Sequence, residues 1–235
     1  MLINLSNVVA LMAIFGLFGG KTLYFPGCTA KYVAKDIQRR HEQLLTMFDI
    51  DYLKFPELAV CCGKPASDYG FKDDYKSLVK KNQNMFKNQK IKKIITSCPQ
   101  CYWIFKEEYD NVEVLHISQV ILDNMDKIAT RIDEVVSFYD AVNPNKLEEL
   151  YNNPRNILKS IGMNIQEFEY NKKLSLDCGV ELLPVSPKVA DKMADEVLKN
   201  VKTRKLIVMC PTAYVHLKKN NPSGIKILEL SEVLL

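Results

Sequence analysis

The chain has 235 residues, of which 47% are hydrophobic and 26% are charged. These values are typical of a globular protein with a sizeable core, and they exclude a disordered chain, a collagen and a multi-span membrane protein. The net charge is only +4, with 32 basic and 28 acidic residues interspersed. A nucleic-acid binder usually carries a concentrated basic face, so we expect no nucleic-acid partner. Seven cysteines are present, and an odd number excludes a complete set of intrachain disulfides.

Residues 1–21 are predicted to contain an apolar N-terminal helix. The run Val8–Phe18 is apolar apart from Gly16. It is shorter than the roughly 20 residues that a membrane span needs, and it lacks the basic residue and cleavage site of a secretory signal. We expect residues 1–20 to dock on the protein core, on a partner subunit or on a membrane surface.

Short apolar runs alternate with helical patterns along the rest of the chain. In the first half we predict strands at 22–25, 51–55, 93–96 and 112–115, and helices at 31–48, 73–89, 101–109 and 119–126, the last capped by Ser118. This alternation predicts an α/β fold built from parallel βαβ units, Rossmann-like, with helices flanking the sheet.

Five of the cysteines follow three of these strands. Cys28 follows the first strand, Cys61 and Cys62 follow the second, and Cys98 and Cys101 follow the third. The loops that leave the carboxyl ends of parallel strands lie along one edge of the sheet, where ligands bind. We therefore expect all five thiols at that edge.

The second half of the sequence repeats the first. Residues 93–99 correspond to 205–211, residues 114–118 correspond to 227–231, and Cys62-Gly63 corresponds to Cys178-Gly179. We predict two small α/β repeats, at 22–128 and 133–235, related by a pseudo-two-fold axis.

The second repeat keeps only two of the five cysteines, Cys178 and Cys210. The other positions hold Ala141 or Val142 in place of Cys28, Asp177 in place of Cys61, and Ala213 in place of Cys101. We interpret Cys178 and Cys210 as the remnants of a vestigial second site. The alternatives are a redox dithiol and ligands to a second metal.

Thiolates are soft ligands that suit iron–sulfur clusters and zinc. Five thiolates exceed the four ligands of a structural zinc. The adjacent Cys61 and Cys62 can hardly reach one small ion without strain, but they can bind two different irons. The count favours an open iron–sulfur cluster with one bridging thiolate. Zinc and a thioredoxin-like dithiol at 98–101 are the alternatives.

The residues beside the cysteines support a metal site. Gly27 and Gly63 permit close backbone approach and unusual dihedral angles. Pro99 opens a helix at Cys98, so backbone N–H groups and the helix dipole favour a thiolate there.

Two further side chains, Lys64 and His116, each have a functional and a purely structural interpretation. Lys64 could attract an anionic substrate, or it could be one more exposed lysine. His116 follows the fourth strand and could supply a proton or a hydrogen bond to a sulfur, or it could simply cap or pack. We predict that His41 is a surface or helix-packing residue.

The order Cys, Cys-Cys-Gly, Cys-Pro-x-Cys resembles the cysteine-rich CCG domain family. That family includes the B-type CCG subunit of heterodisulfide reductase and iron–sulfur subunits of glycolate, lactate and anaerobic glycerol-3-phosphate oxidoreductases. The resemblance covers residues 22–235. It is specific in the first repeat, at Tyr24–Cys28, Cys61–Pro65 and Ser97–Cys101, and weak in the second.

The resemblance implies that one non-cubane 4Fe–4S cluster, or zinc as in some family sites, is held by Cys28, Cys61, Cys62, Cys98 and Cys101. It also implies cleavage of a disulfide substrate by one-electron steps. The chain has no ferredoxin-type cysteine run, so the electrons would come from a separate iron–sulfur or flavin protein.

We therefore expect an iron–sulfur oxidoreductase subunit, similar to the B-type CCG subunit of heterodisulfide reductase. The alternatives are a non-catalytic electron-transfer subunit of a larger complex and a zinc-stabilised structural or interaction protein. An exposed cluster is sensitive to oxygen, so we expect a reducing cytoplasm, with any membrane association made through a partner.

Overall fold

The computed structural model describes residues 20–54, 61–141, 147–222 and 224–235. The predicted N-terminal helix lies outside the described residues except for its last two positions. Gly20 is not helical, and Lys21 is the first residue of a strand.

Strands and helices alternate along the described chain. The strands are β1 Lys21–Phe25, β2 Ile91–Thr96, β3 Glu113–His116, β4 Val135–Tyr139, β5 Asn164–Gln166, β6 Lys205–Val208 and β7 Lys226–Glu229. The helices are α1 Cys28–Tyr32, α2 Lys35–Met47, α3 Lys64–Asp68, α4 Lys72–Asn88, α5 Pro99–Glu108, α6 Ile117–Asp123, α7 Glu148–Ser160, α8 Pro187–Lys199 and α9 Pro211–Lys219. Short 3-10 helices are found at Met125–Lys127, Lys172–Leu174, Val180–Leu182 and Leu230–Val233.

The strands form two parallel sheets, one in each half of the chain. The first has the order β1-β2-β3 and the second the order β5-β4-β6-β7. In the first sheet Phe25 pairs with Thr96 and Thr96 with His116, so the three strands end together. This confirms the predicted α/β class, and it aligns the loops that carry the cysteines along one edge.

The two sheets follow the same plan, which is consistent with a repeat. β4, β6 and β7 correspond to β1, β2 and β3. After β3 and after β7 the chain turns into a helix whose cap residue, His116 or Glu229, forms a capping box. The counterpart of β5 in the first half is Leu53, which makes a single parallel bridge to Leu23.

Three details of the predicted elements are wrong. The strand expected at 51–55 is reduced to the bridge at Leu53, because within the described residues only Leu53 exchanges backbone hydrogen bonds with β1. The helix expected at 31–48 is divided into α1 and α2, because Ala34 has non-helical dihedral angles. His116 caps α6 in place of Ser118, because its imidazole Nδ1 accepts the backbone N–H of Ser118 at 3.2 Å.

One hydrophobic core cluster draws on both halves. It includes Tyr24 and Ile95 from the first sheet and Val136, Phe138 and Ile207 from the second. Helix α6 of the first half also packs against α7 of the second. Burial of apolar surface thus holds the two sheets together and fixes the loops of one half against those of the other.

Among the described residues, no helix is both long enough and apolar enough to cross a bilayer.

Candidate metal centre

The turn between β1 and α1 brings Cys28 against the Cys98–Cys101 segment. Gly27 makes this approach possible because its φ of 82° and ψ of 159° belong to a region that is essentially restricted to glycine. A Cβ atom at Gly27 would lie 3.0 Å from Cβ of Cys98 and 3.6 Å from Sγ of Cys101. A side chain at Gly27 would therefore push these cysteines apart.

Cys61 and Cys62 lie in a turn that a second glycine closes. Gly63 has a left-handed φ of 99° and donates its N–H to Sγ of Cys61 at 3.4 Å. The buried amide of Asn82, on α4, donates to the carbonyl oxygen of Cys61 at 3.1 Å and to the hydroxyl of Tyr109 at 2.9 Å. Helix α4 thus fixes the backbone of the adjacent cysteines, a contact that the sequence did not reveal.

Cys98 and Cys101 stand at the beginning of α5. Cys98 is the N-cap residue and Pro99 occupies the first helical turn. Cys101, one turn further, is only 2% exposed. Backbone N–H groups of Gln100 and Cys101 in this first turn donate to the Cys98 sulfur, and this favours a thiolate there.

Two adjoining cavities connect these thiols. A groove of about 460 Å³ is lined by Cys28, Cys61, Cys62 and Cys101. A second cavity of about 230 Å³ lies between the two halves, and we call it the inter-half cavity. Its walls include Cys28, Cys62, Cys98, Cys101, Cys178 and Cys210. Three cysteines of the first half thus line both spaces.

Hydrogen bonds between thiols set their acidity. The side chain of Cys101 interacts with Cys62 and with Cys98, and these interactions lower the pKa of both thiols well below the usual value, against the effect of burial. The same interactions raise the pKa of Cys101. Two of the thiols therefore favour the thiolate form that soft metals bind.

Within the described residues, no three or more His, Cys, Asp or Glu side chains are arranged so that they could bind one metal ion. The thiols are spread along the two cavities.

Comparison with known families identifies the first half of the chain. Residues 22–106, which include all five of these cysteines, match the family model described as CCG: Cysteine-rich domain. This segment is a CCG domain.

Relatives of the chain are named as oxidoreductases. It is 28% identical over 168 residues to EtfAB:quinone oxidoreductase of Syntrophomonas wolfei, covering 67% of this chain and 23% of the relative. It is 31% identical over 114 residues to the probable iron-sulfur-binding oxidoreductase FadF of Bacillus subtilis, covering 45% and 16%. It is 25% identical over 172 residues to one subunit of the dihydromethanophenazine:CoB–CoM heterodisulfide reductase of Methanosarcina barkeri, covering 67% and 42%.

The chain therefore spans less than half the length of each of these relatives. The chain is thus similar to parts of proteins that are named as oxidoreductases, iron–sulfur proteins among them.

The part of the second half that lines the inter-half cavity has the same local backbone structure as the CCG domain. Asp177, Cys178 and Gly179 repeat the turn of Cys61, Cys62 and Gly63, since Gly179 has a φ of 84° and donates its N–H to Oδ1 of Asp177 at 2.7 Å. Ala141 and Ala213 also line the inter-half cavity. The second half thus keeps the backbone of the site but offers two thiols.

Cys210 of the second half contacts Cys98 of the CCG domain. Like Cys98, Cys210 is an N-cap residue followed by a proline in the first helical turn. The two side chains interact. Cys178 and Cys210 therefore line the same cavity as Cys28, Cys62, Cys98 and Cys101.

Lys64 lies at the inter-half cavity with its charge already paired. Its ammonium group forms an ion pair with Asp68, lies 3.7 Å from the Glu181 carboxylate, and stands 5.3 Å from the centre of the Trp103 ring. The carboxylate of Glu181 also accepts a hydrogen bond at 2.9 Å from the side chain of Gln100. Lys64 therefore links the CCG domain to the second half.

A buried polar network lies beneath Cys98, and the sequence did not reveal it. Oγ of Ser97 lies 2.8 Å from the hydroxyl of Tyr24 and 2.8 Å from Nδ1 of His41. Nε2 of His41 lies 3.3 Å from the Glu229 carboxylate. His41 is fully buried, so of the two predicted alternatives, a surface residue or a helix-packing residue, the second describes it.

His116 belongs to the same buried region. Its Nε2 lies 3.2 Å from the carbonyl oxygen of Ser97, and its Nδ1 is used in the cap of α6. Burial lowers the pKa of His116 to about 4, against the opposing effect of the Ser97 carbonyl. The imidazole is therefore neutral at pH 7, and the contacts of both its nitrogens are those of a cap and a packing residue.

Proposed function

We propose that this chain is the iron–sulfur subunit of an oxidoreductase complex. It binds one non-cubane 4Fe–4S cluster through five thiols and takes part in disulfide and thiol redox chemistry, similar in role to the B-type CCG subunit of heterodisulfide reductase. The ligands are Cys28, Cys61, Cys62, Cys98 and Cys101. The observation that carries this proposal is the gathering of all five cysteines of the CCG domain at one sheet edge, around two adjoining cavities.

The donor set fits a cluster with several irons. Thiolate sulfur is the ligand that iron–sulfur clusters use. Cys61 lines only the groove, whereas its neighbour Cys62 lines both the groove and the inter-half cavity. This divergence suits binding to two different irons. Gly27 leaves room for the cysteines to converge, because a Cβ there would contact Cys98.

When bound, such a cluster supplies single electrons to a substrate sulfur. The residues of this chain hold and shield that sulfur. Contacts of Glu181 with Lys64 and Gln100 join the two halves at the inter-half cavity. A hydrogen bond of 2.9 Å between the hydroxyls of Thr29 and Thr212 joins them at a second point of its lining. These contacts hold the two walls of the cavity in a fixed arrangement.

The electrons come from a partner protein in this proposal. Relatives are named as an EtfAB:quinone oxidoreductase and as one of the subunits of a heterodisulfide reductase. These names favour a place in a redox complex, and the electron donor that we propose is an iron–sulfur or flavin protein. The groove beside Cys28 and Cys61 is also lined by Tyr32, Lys54 and Glu42, and the last two form an ion pair at 2.7 Å.

Metal analysis after anaerobic purification tests the proposal. We expect a brown protein with about four irons and inorganic sulfide per chain. Cys62→Ser and Cys101→Ser should lose most of the iron, whereas the matched variant Cys178→Ser should keep it. A colourless protein that holds one zinc and no sulfide would contradict the proposal and favour a structural role.

A disulfide-reduction assay with a low-potential electron donor then tests the redox role. Wild-type protein should reduce a disulfide, and Cys62→Ser should not. Iron-loaded protein that is reduced and reoxidised readily, yet is inert toward every disulfide tested, would identify an electron-transfer subunit.

A further inference from the structure

Cys210 is a thiol of the second half that reaches the CxxC segment of the CCG domain. It is 5% exposed and caps α9, just as Cys98 caps α5. Both side chains line the inter-half cavity and interact there. A sulfur from outside the CCG domain therefore lies beside one of its five cysteines.

Helix α9 is anchored at this place. Thr212, next but one after Cys210, shares a hydrogen bond of 2.9 Å with Thr29, which is the second residue of α1. Helix α9 also packs against α1. Cys28 begins α1, so the same contact fixes Cys210 relative to two cysteines of the CCG domain, Cys28 and Cys98.

The second half cannot use Cys210 in a ligand set of its own. The positions equivalent to Cys61 and Cys101 hold Asp177 and Ala213, and both residues line the cavity without a thiol. Cys210 can therefore act on a metal site only through its interaction with Cys98.

Cys178 lies in the same cavity but has a different partner. Its backbone N–H donates to the hydroxyl of Tyr139 at 3.1 Å, and its side chain interacts with that hydroxyl as well. It contributes a buried thiol to the cavity wall, and its hydrogen-bonding partner belongs to the second half. Cys178 is therefore a matched control for Cys210.

We propose that Cys210 is a positioning residue for the cluster, whose S–H group donates a hydrogen bond to the sulfur of Cys98 and thereby raises the reduction potential. This inference rests on the proposed function, because it takes Cys98 as a cluster ligand. A thiol that binds no metal has an S–H group that can donate to a neighbouring sulfur. A hydrogen bond to a ligating sulfur offsets part of its negative charge and so stabilises the reduced cluster.

The test compares four variants with wild type after anaerobic purification. Cys210→Ala and Cys210→Val remove the donor, Cys210→Ser keeps one, and Cys178→Ala removes the other cavity thiol. Iron content and the midpoint potential, followed by electron paramagnetic resonance during a redox titration, are the readouts. We expect full iron content in all four, a more negative potential for Ala and Val, recovery to wild type or above for Ser, and no shift for Cys178→Ala.

Valine is apolar and somewhat larger than cysteine, so it fills the space of the thiol if the alanine variant leaves a cavity and fails to fold. An unchanged potential in Cys210→Val overturns the inference and leaves the proposed function standing. Loss of iron from this folded variant also overturns it, because Cys210 would then be a ligand. Wild-type protein without iron overturns the proposed function, and the inference with it.

Discussion

Asp177 and Cys61 occupy equivalent positions in the two halves of the chain. Each side chain accepts the N–H of the glycine two residues later, Oδ1 of Asp177 at 2.7 Å and Sγ of Cys61 at 3.4 Å. The backbone turn is therefore the same, while the soft thiol is replaced by a hard carboxylate oxygen. Oxygen ligands do not suit an iron–sulfur cluster, so the second half keeps this turn of the site without the thiol that Cys61 provides.

Gly27→Ala should impair assembly of the site. The φ of 82° at Gly27 is strained for any residue with a side chain, and the new Cβ would lie 3.0 Å from Cβ of Cys98. We expect a loss of about 1–3 kcal/mol in the free energy of unfolding, measured by urea denaturation. Iron content should fall as well, because Cys98 and Cys101 must move.

Gly70→Ala is the matched control for this variant. Gly70 has the same φ of 82°, but a Cβ there would meet no atom within 4 Å. It should lose stability through the backbone alone and keep its iron. Equal iron content in the two variants would refute the role of Gly27 in holding the cysteines together.

Asn82→Leu should weaken the turn that carries the adjacent cysteines. Asn82 is 1% exposed, and its amide donates to the carbonyl oxygen of Cys61 and the hydroxyl of Tyr109. Leaving these buried groups without a partner costs about 1–3 kcal/mol. We expect that loss in urea denaturation, together with faster release of iron to a chelator.

The neighbouring Gln83 provides the comparison. It lies on the exposed side of α4 and donates to the carbonyl oxygen of Glu108 at 2.8 Å. Gln83→Leu should change the free energy of unfolding by about 0.5 kcal/mol or less. If both leucine variants released iron at the wild-type rate, Asn82 would not position the cysteines.

His116 should make the protein less stable as the pH falls below 6.5. Burial lowers its pKa from 6.5 to about 4 in the folded state. Between these pH values the unfolded chain binds a proton that the folded chain does not, so stability is full above 6.5 and is lost as the pH falls toward 4. The loss amounts to roughly 3 kcal/mol over this window.

His116→Asn isolates this effect, because asparagine can also cap a helix but does not titrate. The variant should be less stable than wild type at pH 7, and the difference should shrink by about 1.4 kcal/mol for each pH unit below 6.5. Urea denaturation from pH 7 to pH 5 measures it. Parallel stability curves for the two proteins would show that the imidazole does not titrate in this window.

Local sequence patterns account for the parts of the fold that could be predicted. The alternation of apolar runs and helical patterns depends on neighbouring residues, so β1, β2 and β3 and the edge that carries the cysteines could be inferred. The repeat could also be inferred from the sequence, since His116 and Glu229 are cap residues at equivalent positions. The bridge at Leu53 is too short for its pattern to define its extent.

Contacts between the halves could not be predicted. Glu229 approaches His41, Glu181 approaches Lys64, and Cys210 approaches Cys98, although these partners are far apart along the chain. Such pairs arise only when the two sheets pack together. The sequence shows only the neighbours of each residue along the chain. It therefore does not indicate that the thiols of the second half lie beside those of the first.

The core shared by both sheets determines which losses the chain can tolerate. Tyr24 and Ile95 pack in the same cluster as Val136 and Ile207. Ala213 stands where the first half has Cys101, and this burial does not depend on a thiol there. Deleting the second half would expose Tyr24 and Ile95 to water and remove one wall of the inter-half cavity. The second half can thus be required for folding whether or not it binds a metal.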